Sequence, residues 1–243
     1  MSPGKAAATD PPEAVPLPPE GAYQLWAQHY DSAVNPLLAL EERRMVTQLC
    51  DFSGKDVVDL GCGTGRWLKK LERLRPHSLT GVDLSPAMLE QARLKCSPST
   101  RLLQYDCIET PLRYRSADRV LASFLLSYLP DLAAFAREAA RVLRPSGAIH
   151  VSDLHPNTTA YGWRRTFRAA GTVFEIETHR YTLAHLTETM WRSGLRLDQF
   201  AEWSLGPPEA AIFERAGKLD TYLQVESLPV VYWARFTLAG ARP

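Results

Sequence analysis

Between residues 56 and 152, short apolar segments alternate with amphipathic ones, and this alternation constrains the fold more than any other feature. The apolar runs predict five buried strands, at 56–60, 78–83, 101–105, 117–123 and 148–152. Helical periodicity predicts helices between them, over 66–75, 85–96 and 131–143. Strands that alternate with helices form a parallel sheet through right-handed crossovers. The sequence therefore predicts a doubly wound α/β domain.

The pattern changes after residue 180. A helix is predicted over 183–193, and two later strands are predicted over 195–203 and 230–237. A looser stretch, 204–228, separates these strands and holds a predicted helix at 208–216. Because no full helical crossover joins the two strands, we expect them to pair antiparallel. The predicted fold is Rossmann-like: a mostly parallel seven-stranded sheet closed by an antiparallel C-terminal hairpin.

Composition narrows the functional classes. The chain has 243 residues, of which 45% are hydrophobic, and its net charge is +1, so no global field attracts it to nucleic acid or an anionic membrane. The cysteines form neither a CxxC pair nor a Cys/His cluster with zinc-ligand spacing; they are Cys50, Cys62, Cys96 and Cys107. We find no signal peptide and no apolar run long enough to span a membrane. We expect a cytoplasmic protein without a metal site.

The residues that follow each predicted strand are the candidates for a binding site, because ligands of parallel sheets bind outside the carboxyl ends of the strands. The first strand ends in a glycine-rich turn, with Gly61, Gly63 and Gly65 followed by Arg66. Such a turn lets the backbone approach a ligand closely. A dinucleotide site requires GxGxxG, and Arg66 stands where the third glycine belongs. This spacing argues against a nicotinamide oxidoreductase.

Acidic residues occur at three successive strand ends. Asp59 lies two residues before the first glycine, where a carboxylate suits a ligand with a positively charged amino group or sulfonium. Asp83 is placed to accept ribose hydroxyls, and Asp106 to accept a hydrogen bond from an adenine amino group. Taken singly, these features have plain structural explanations: a tight turn, a helix cap or a solvated loop acid. Together they predict an adenosine-containing ligand.

Four segments at these strand ends resemble the motifs of class I methyltransferases that depend on S-adenosyl-L-methionine (SAM). They are Val57–Gly65, Gly81–Leu89, Gln104–Cys107 and Ala117–Ser123. The resemblance covers about residues 23–155, and beyond 155 only the overall plan matches. It is closest to the small-molecule enzymes of the ubiquinone and menaquinone biosynthesis type, whose members often begin with a helix like residues 23–31.

The resemblance implies roles for individual positions toward SAM, whose product is S-adenosyl-L-homocysteine (SAH). Asp59 and the glycine turn would hold the methionine portion, and Asp83 the ribose. The implied cofactor-binding residues are Tyr30, Asp59, Gly61, Cys62, Gly63, Gly65, Asp83, Leu84, Met88, Asp106, Cys107, Ser123 and Phe124. Arg43 or Arg44 could meet the methionine carboxylate, although a solvated helix face explains both equally well.

The chain divides into a flexible proline-rich tail (1–20), an N-terminal helical cap (21–50), a SAM-binding core (51–155) and the remainder of the same domain (156–243). We expect the cap and two inserts, 156–180 and 204–228, to form the acceptor pocket. Their aromatic residues suit a small apolar or aromatic acceptor, or equally a small core under a lid. The arginines of the first insert could receive an anionic group or form the solvated face of a short helix; they are Arg164, Arg165 and Arg168.

Methyl transfer from a sulfonium is an in-line displacement, in which the protein aligns the acceptor and excludes water. A base is needed only if the acceptor must lose a proton. The candidates are Tyr128, His150, Asp153, His155 and His179. We favour His155 as the catalytic residue, since it follows the fifth strand at the ligand-facing edge, whereas His150 lies inside that strand and is expected to be packed.

Other functions remain to be weighed against this one. Amino-directed DNA methyltransferases carry an Asn/Asp-Pro-Pro-aromatic motif after the fourth strand, where this chain has Ser123–Leu126, so no nucleic-acid partner is expected. A protein acceptor, or a SAM-binding protein that transfers no methyl group, stays open because a fold does not settle a function. The sequence does not indicate an oligomeric state.

Overall fold

The computed structural model describes residues 14–32 and 34–239. Its strands are β1 (Val15–Leu17), β2 (Asp56–Leu60), β3 (Ser78–Asp83), β4 (Arg101–Gln104), β5 (Ala117–Ser123), β6 (Leu143–Leu154), β7 (Thr166–Ala169), β8 (Thr172–Ile176), β9 (Leu195–Ser204) and β10 (Pro229–Leu238). Seven of them form the main sheet in the order β4-β3-β2-β5-β6-β10-β9. Strands β2 to β6 are parallel, and β10 runs antiparallel to both β6 and β9. The predicted mostly parallel sheet with its antiparallel C-terminal hairpin is confirmed.

The helices are α1 (Pro19–Trp26), α2 (Pro36–Met45), α3 (Arg66–Leu71), α4 (Pro86–Lys95), α5 (Leu132–Val142), α6 (Leu183–Arg192), α7 (Pro207–Arg215) and α8 (Leu219–Val225). Four begin at side-chain caps that accept a backbone N–H of the first turn; in α6 the cap is Thr182, which accepts from His185. Asn35 accepts from Leu37, and Ser85 from Met88. Asp131 accepts from Ala134 at 2.8 Å. The local sequence thus sets where these helices start.

Two hydrophobic cores lie on opposite faces of the main sheet, because successive strand residues point to opposite sides. In β5, Val120 and Ala122 belong to the core that contains α5 and α6, whereas Leu121 belongs to the core that contains α2, α3 and α7. All three residues are fully buried. Both faces of the sheet are therefore covered, which leaves the carboxyl ends of the parallel strands for a ligand.

The prediction of a flexible tail over residues 1–20 is wrong for residues 15–20. Residues 1–13 lie outside the described part of the chain. Val15–Leu17 forms β1, which pairs parallel with β8, and β7 completes this second, three-stranded sheet. Helix α1 begins at Pro19, since proline suits the first helical position. The prolines suggested disorder, yet they are compatible with a strand edge and a helix start.

The two inserts also differ from expectation. Residues 164–168, expected as a helix carrying three arginines, lead into strand β7, which forms a hairpin with β8. The stretch 204–228 holds α8 in addition to the predicted helix, and its Phe213 and Tyr222 are buried in the core beside α2. No helix in the described ranges is long and apolar enough to cross a membrane.

Candidate active site

A cavity of about 490 Å³ opens at the carboxyl ends of β2, β3 and β5, where the strand order reverses. This is where ligands of open α/β sheets bind. Except for Gly65, every residue implied by the sequence resemblance lines it: Tyr30, Asp59, Gly61, Cys62, Gly63, Asp83, Leu84, Met88, Asp106, Cys107, Ser123 and Phe124. The structure brings these predicted residues together around one cavity.

The glycine turn carries the backbone across the mouth of this cavity. Gly61 has φ +70°, and a Cβ there would lie 2.7 Å from Leu125 Cδ1, so the position requires glycine. Its N–H and that of Cys62 both donate to the carbonyl oxygen of Val82, at 2.8 and 3.0 Å. These bonds hold the turn against the end of β3.

Gly65 has a different role from the one expected. It precedes α3 with φ +79°, and a Cβ there would lie 2.8 Å from Cys96 Sγ and 3.2 Å from Ala92 Cβ. The missing side chain therefore allows the turn to pack closely against α4. Cofactor contact at Gly65 is not supported, because the residue does not line the cavity.

Asp83 is held rigidly at the end of β3. Its carboxylate accepts the Gly63 N–H at 2.7 Å and the Ser85 N–H at 2.9 Å. Burial raises the pKa of Asp83, while these backbone donors act in the opposite direction. Asp106 lines the same cavity and accepts the Ile108 N–H at 3.1 Å. Both acids accept backbone hydrogen bonds that stabilise their loops, and both line the cavity. A structural role for each acid is therefore compatible with a role in binding a ligand.

Asp59 lies at the end of β2 and is only 2% exposed. Burial raises the pKa of Asp59 well above its usual value; Arg66 lowers it, and the negative charges of Asp83 and Glu41 raise it further. A cationic group bound in the cavity would favour the ionised form of Asp59. The arrangement thus suits a ligand with a positive charge.

Glu41 of α2 is fully buried and was not recognised from the sequence. Its carboxylate accepts the hydroxyls of Ser123 and Ser152, each at 2.6 Å, and the indole N–H of Trp67 at 3.2 Å. It also pairs with Arg66 at 2.6 Å. The available signal was its spacing: Leu37, Leu40, Glu41 and Met45 share one helix face, which places an acid among core residues.

Arg66 was interpreted only as a departure from the dinucleotide pattern, yet it lines the cavity beside Asp59. Its Nη2 donates to Glu41 and, at 3.0 Å, to Ser123 Oγ. Its Nη1 is buried without a hydrogen-bond partner among residues 14–32 and 34–239. Burial opposes the guanidinium charge, but Glu41 outweighs it and raises the pKa of Arg66. A buried, unpaired donor in a cavity is costly unless a ligand satisfies it.

Neither Arg43 nor Arg44 is placed to meet a ligand carboxylate in this cavity. Arg43 donates to Glu209 through Nε and Nη2, at 3.1 and 2.8 Å, and so joins α2 to α7. Arg44 is exposed, and neither residue lines the cavity. Arg66 is the guanidinium that the fold places there.

His155 does not face the cavity, so its predicted placement as the base is wrong. Its Nε2 contacts Glu202 Oε1 at 2.8 Å and its Nδ1 accepts the Asn157 N–H at 3.2 Å. The reason is that β6 pairs with β10 up to its end and His155 N–H donates to Val230 O, which turns the side chain toward β9. His150 is packed in the core, as expected. Of the other candidates, Tyr128 and His179 line the cavity.

A second cavity of about 380 Å³ adjoins the first and shares four wall residues with it: Tyr23, Tyr30, Phe124 and Tyr128. The N-terminal segment contributes Trp26, Leu37 and Leu38, and the insert 156–180 contributes Trp163 and Arg165. No residue of 204–228 lines either of these two cavities. The expectation that this stretch would form part of the acceptor pocket is therefore not supported, because its helices are used to cover the sheet.

Sequence comparison agrees with this geometry. The family described as "Methyltransferase domain" matches residues 57–147, which span β2 to the middle of β6. Residues 57–147 are therefore similar to a methyltransferase domain. The predicted resemblance to methyltransferases is confirmed over this segment.

Two curated relatives of similar sequence are methyltransferases by name. A probable phthiotriol/phenolphthiotriol dimycocerosates methyltransferase 2 of Mycobacterium ulcerans is 33% identical over 158 residues, 60% of this chain and 61% of the relative. A demethylmenaquinone methyltransferase of Tropheryma whipplei is 32% identical over 139 residues, 54% of this chain and 56% of the relative. The chain thus spans little more than half the length of these relatives.

Among solved structures, a SAM-dependent methyltransferase of Mesorhizobium loti superposes with a TM-score of 0.66 at 22% identity. The match covers 83% of this chain and 99% of that one. The two chains therefore share one fold over most of their length.

Proposed function

We propose that the protein is a SAM-dependent methyltransferase that transfers a methyl group to a small-molecule acceptor. The observation that carries the proposal is the cavity at the strand ends, in which Asp59, Asp83, Asp106 and Arg66 meet the glycine turn. The proposal extends from the methyltransferase domain to the activity of the whole chain.

The residues of the first cavity fit SAM group by group. Asp83 would accept the ribose hydroxyls, and Asp106 the adenine amino group. Asp59 would pair with the ammonium group of the methionine portion, while the unpaired Nη1 of Arg66 would donate to its carboxylate. A buried carboxylate beside a buried guanidinium is complementary to the zwitterion of an amino acid, because the carboxylate pairs with the ammonium group and the guanidinium with the carboxylate. Pyrophosphate would be repelled by the same acids.

When bound, SAM supplies a methyl group activated by a sulfonium. The residues of this chain have to align the acceptor and exclude water. Tyr23, Tyr30, Phe124 and Tyr128 stand between the two cavities and are suited to both tasks. Burial raises the pKa of Tyr30 to about 12, so its hydroxyl stays protonated and acts as a hydrogen-bonding group rather than a base.

The acceptor is proposed to be apolar or aromatic and to bind in the second cavity, between the N-terminal cap and the 156–180 insert. A cavity of about 380 Å³ is at the lower end of the usual size of small-molecule sites, about 300–1,000 Å³. A nucleic-acid acceptor is disfavoured by the net charge of +1. A cytoplasmic location and the proposed division of the chain at residues 50 and 155 stay predictions.

The test separates the parts of the ligand. SAH and 5′-methylthioadenosine, which lacks the amino acid, are titrated by calorimetry into wild type and variants. Asp83→Asn should weaken both ligands by an amount on the order of 10- to 100-fold. Asp59→Asn and Arg66→Lys should weaken SAH similarly and leave methylthioadenosine unchanged. Arg44→Gln is the matched control, because Arg44 is exposed and does not line the cavity, and it should alter neither affinity.

Turnover decides between transfer and binding alone. Incubation with labelled SAM and pools of small aromatic and apolar compounds should release SAH and a labelled product. Tight SAM binding without SAH formation from any pool would favour a binding protein over an enzyme. Failure to bind SAH at all would refute the proposed function.

A further inference from the structure

The second cavity has an unusual charge pattern for an aromatic pocket. Its apolar wall includes Trp26, Leu37 and Trp163. Its charged wall, within the described ranges of the chain, consists of Arg164 and Arg165 and includes no carboxylate. Both arginines are ion-paired, Arg164 with Glu175 and Arg165 with Asp153, and neither carboxylate lines this cavity. The cavity therefore offers cationic donors on one side and flat apolar surfaces on the other.

Arg165 is fixed in place by contacts on two sides. Its Nη2 donates to Asp153, and its Nη1 donates to the hydroxyl oxygen of Tyr128 at 2.7 Å. The guanidinium carbon lies 4.7 Å from the ring centre of Tyr128 and 5.6 Å from that of Phe124. Stacking on two rings and a buried carboxylate hold the guanidinium at the wall that both cavities share.

Asp153 fixes Tyr128 as well as Arg165. Its carboxylate accepts the backbone N–H of Ser127 at 2.8 Å, and Ser127 immediately precedes Tyr128 in one turn of 3₁₀ helix. One buried acid at the end of β6 thus orients both the backbone that carries Tyr128 and the side chain that contacts its hydroxyl. Asp153 is therefore a positioning residue for both Tyr128 and Arg165.

The hydroxyl groups of Tyr23 and Tyr128 are polar groups of the wall that separates the two cavities. Arg165 donates to the Tyr128 oxygen, and the Tyr23 and Tyr128 hydroxyls are hydrogen-bonded to each other, so one of their two hydroxyl hydrogens is left for another acceptor. The neighbouring Tyr23 ring lies 5.5 Å away, and burial raises the pKa of Tyr23, so this residue also keeps its hydroxyl hydrogen. A ligand oxygen placed here would meet one hydroxyl donor beside the Arg165 guanidinium, whose counter-ion Asp153 does not line the cavity.

We propose that the second cavity binds a flat, apolar ring that carries an anionic oxygen, which Arg165 and Tyr128 hold at the wall shared with the first cavity. This inference rests on the proposed function for its meaning as an acceptor site, but the binding of such a ligand is independent of it. The size of the cavity favours one or two rings.

The test uses 1-naphthoate and its uncharged analogue 1-naphthylmethanol, titrated with and without saturating SAH and followed by tryptophan fluorescence or calorimetry. We expect naphthoate to bind at least about tenfold more tightly than the alcohol, as for a hydrogen bond to a charged group. Saturating SAH should not displace it. Tyr128→Phe, which leaves the pair of Arg165 and Asp153 intact, should reduce the preference, and Arg165→Gln should abolish it.

The matched control is Arg168→Gln, because Arg168 is exposed on the same hairpin and lines neither cavity. It should keep the full preference for naphthoate. Equal affinity for the two probes, an unchanged preference in Tyr128→Phe and Arg165→Gln, or displacement of naphthoate by SAH would overturn the inference. If SAH binds normally in those samples, the proposed function survives; if naphthoate binds as expected but SAH does not, only the proposed function fails.

Discussion

His150 in β6 makes the stability of the fold sensitive to acid. It is 1% exposed, and neither ring nitrogen has a hydrogen-bond partner in the described part of the chain. Its ring packs edge-on against Phe52 at 5.1 Å and lies 5.7 Å from Trp233. Burial lowers the pKa of His150 to about 3; Asp51 opposes this shift, and Arg235 and Arg119 add to it. The histidine is therefore neutral in the folded protein over the whole physiological range.

The sign of the pH dependence follows from linkage. Between about pH 6.5 and 3, the unfolded chain binds a proton at His150 that the folded chain does not, so the free energy of unfolding falls as the pH falls. Each pH unit in this window costs about 1.4 kcal/mol, which amounts to about 2 kcal/mol at pH 5 relative to neutral pH. Above about pH 7 the term disappears, because both states are neutral.

The perturbation is His150→Leu, measured by urea unfolding with tryptophan fluorescence at pH 7.5, which lies above the titration window, and at pH 6 and 5, which lie within it, since the unfolded pKa is about 6.5. At pH 7.5 the free energy of unfolding of the variant should fall no more than about 1 kcal/mol below that of wild type. Leucine fills a similar volume, and the substitution removes two buried nitrogens that lack partners. At pH 5 it should gain about 2 kcal/mol relative to wild type.

The control is His29→Leu, because His29 is exposed and lines neither cavity. This variant should keep the acid sensitivity of wild type. A difference between wild type and His150→Leu that does not change with pH would refute the reasoning, since it would mean that His150 titrates normally or finds a partner. SAH affinity at pH 7.5 should be unchanged, as His150 lines neither cavity.

Three further outcomes are expected. Glu41→Gln should lower the free energy of unfolding by about 3–5 kcal/mol in chemical denaturation, because Arg66 is left as a buried charge without its partner. Gly65→Ala should lower the free energy of unfolding more than Gly54→Ala. Both glycines have positive φ, but only at Gly65 would an added Cβ contact neighbouring atoms. Equal losses would contradict the packing role of Gly65. Deleting residues 1–18 removes β1 and should lower the thermal midpoint, whereas an unchanged midpoint would show that the strand contributes nothing.

The parallel core and most of the first cavity could be predicted without coordinates. The residue patterns that indicate a strand or a helix are local, and in β2 and β3 they coincide with the turn residues that end each strand. Once the strands are parallel, their carboxyl ends meet at one edge, so Asp59, Asp83 and Asp106 have to approach each other. The motif resemblance then identified the ligand class.

The sequence-based predictions fail at positions whose structure depends on contacts between distant segments of the chain. His155 follows a correctly predicted strand, yet pairing with β10 directs its side chain toward Glu202. The proline-rich residues 15–17 form a strand only because β8, more than 150 residues away, offers an edge. Neither contact leaves a periodic signal in the local sequence.

The amino-acid sequence by itself determined the α/β architecture and the adenosine side of the site, because both depend on local periodicity and on which residues follow each strand. Only the tertiary structure decided that Glu41 of α2 holds Arg66 beside Asp59, and that Arg165 and Tyr128 share a wall between the two cavities. The physical reason is that buried charges need partners, and those partners are supplied by whichever segments the fold brings within hydrogen-bond distance.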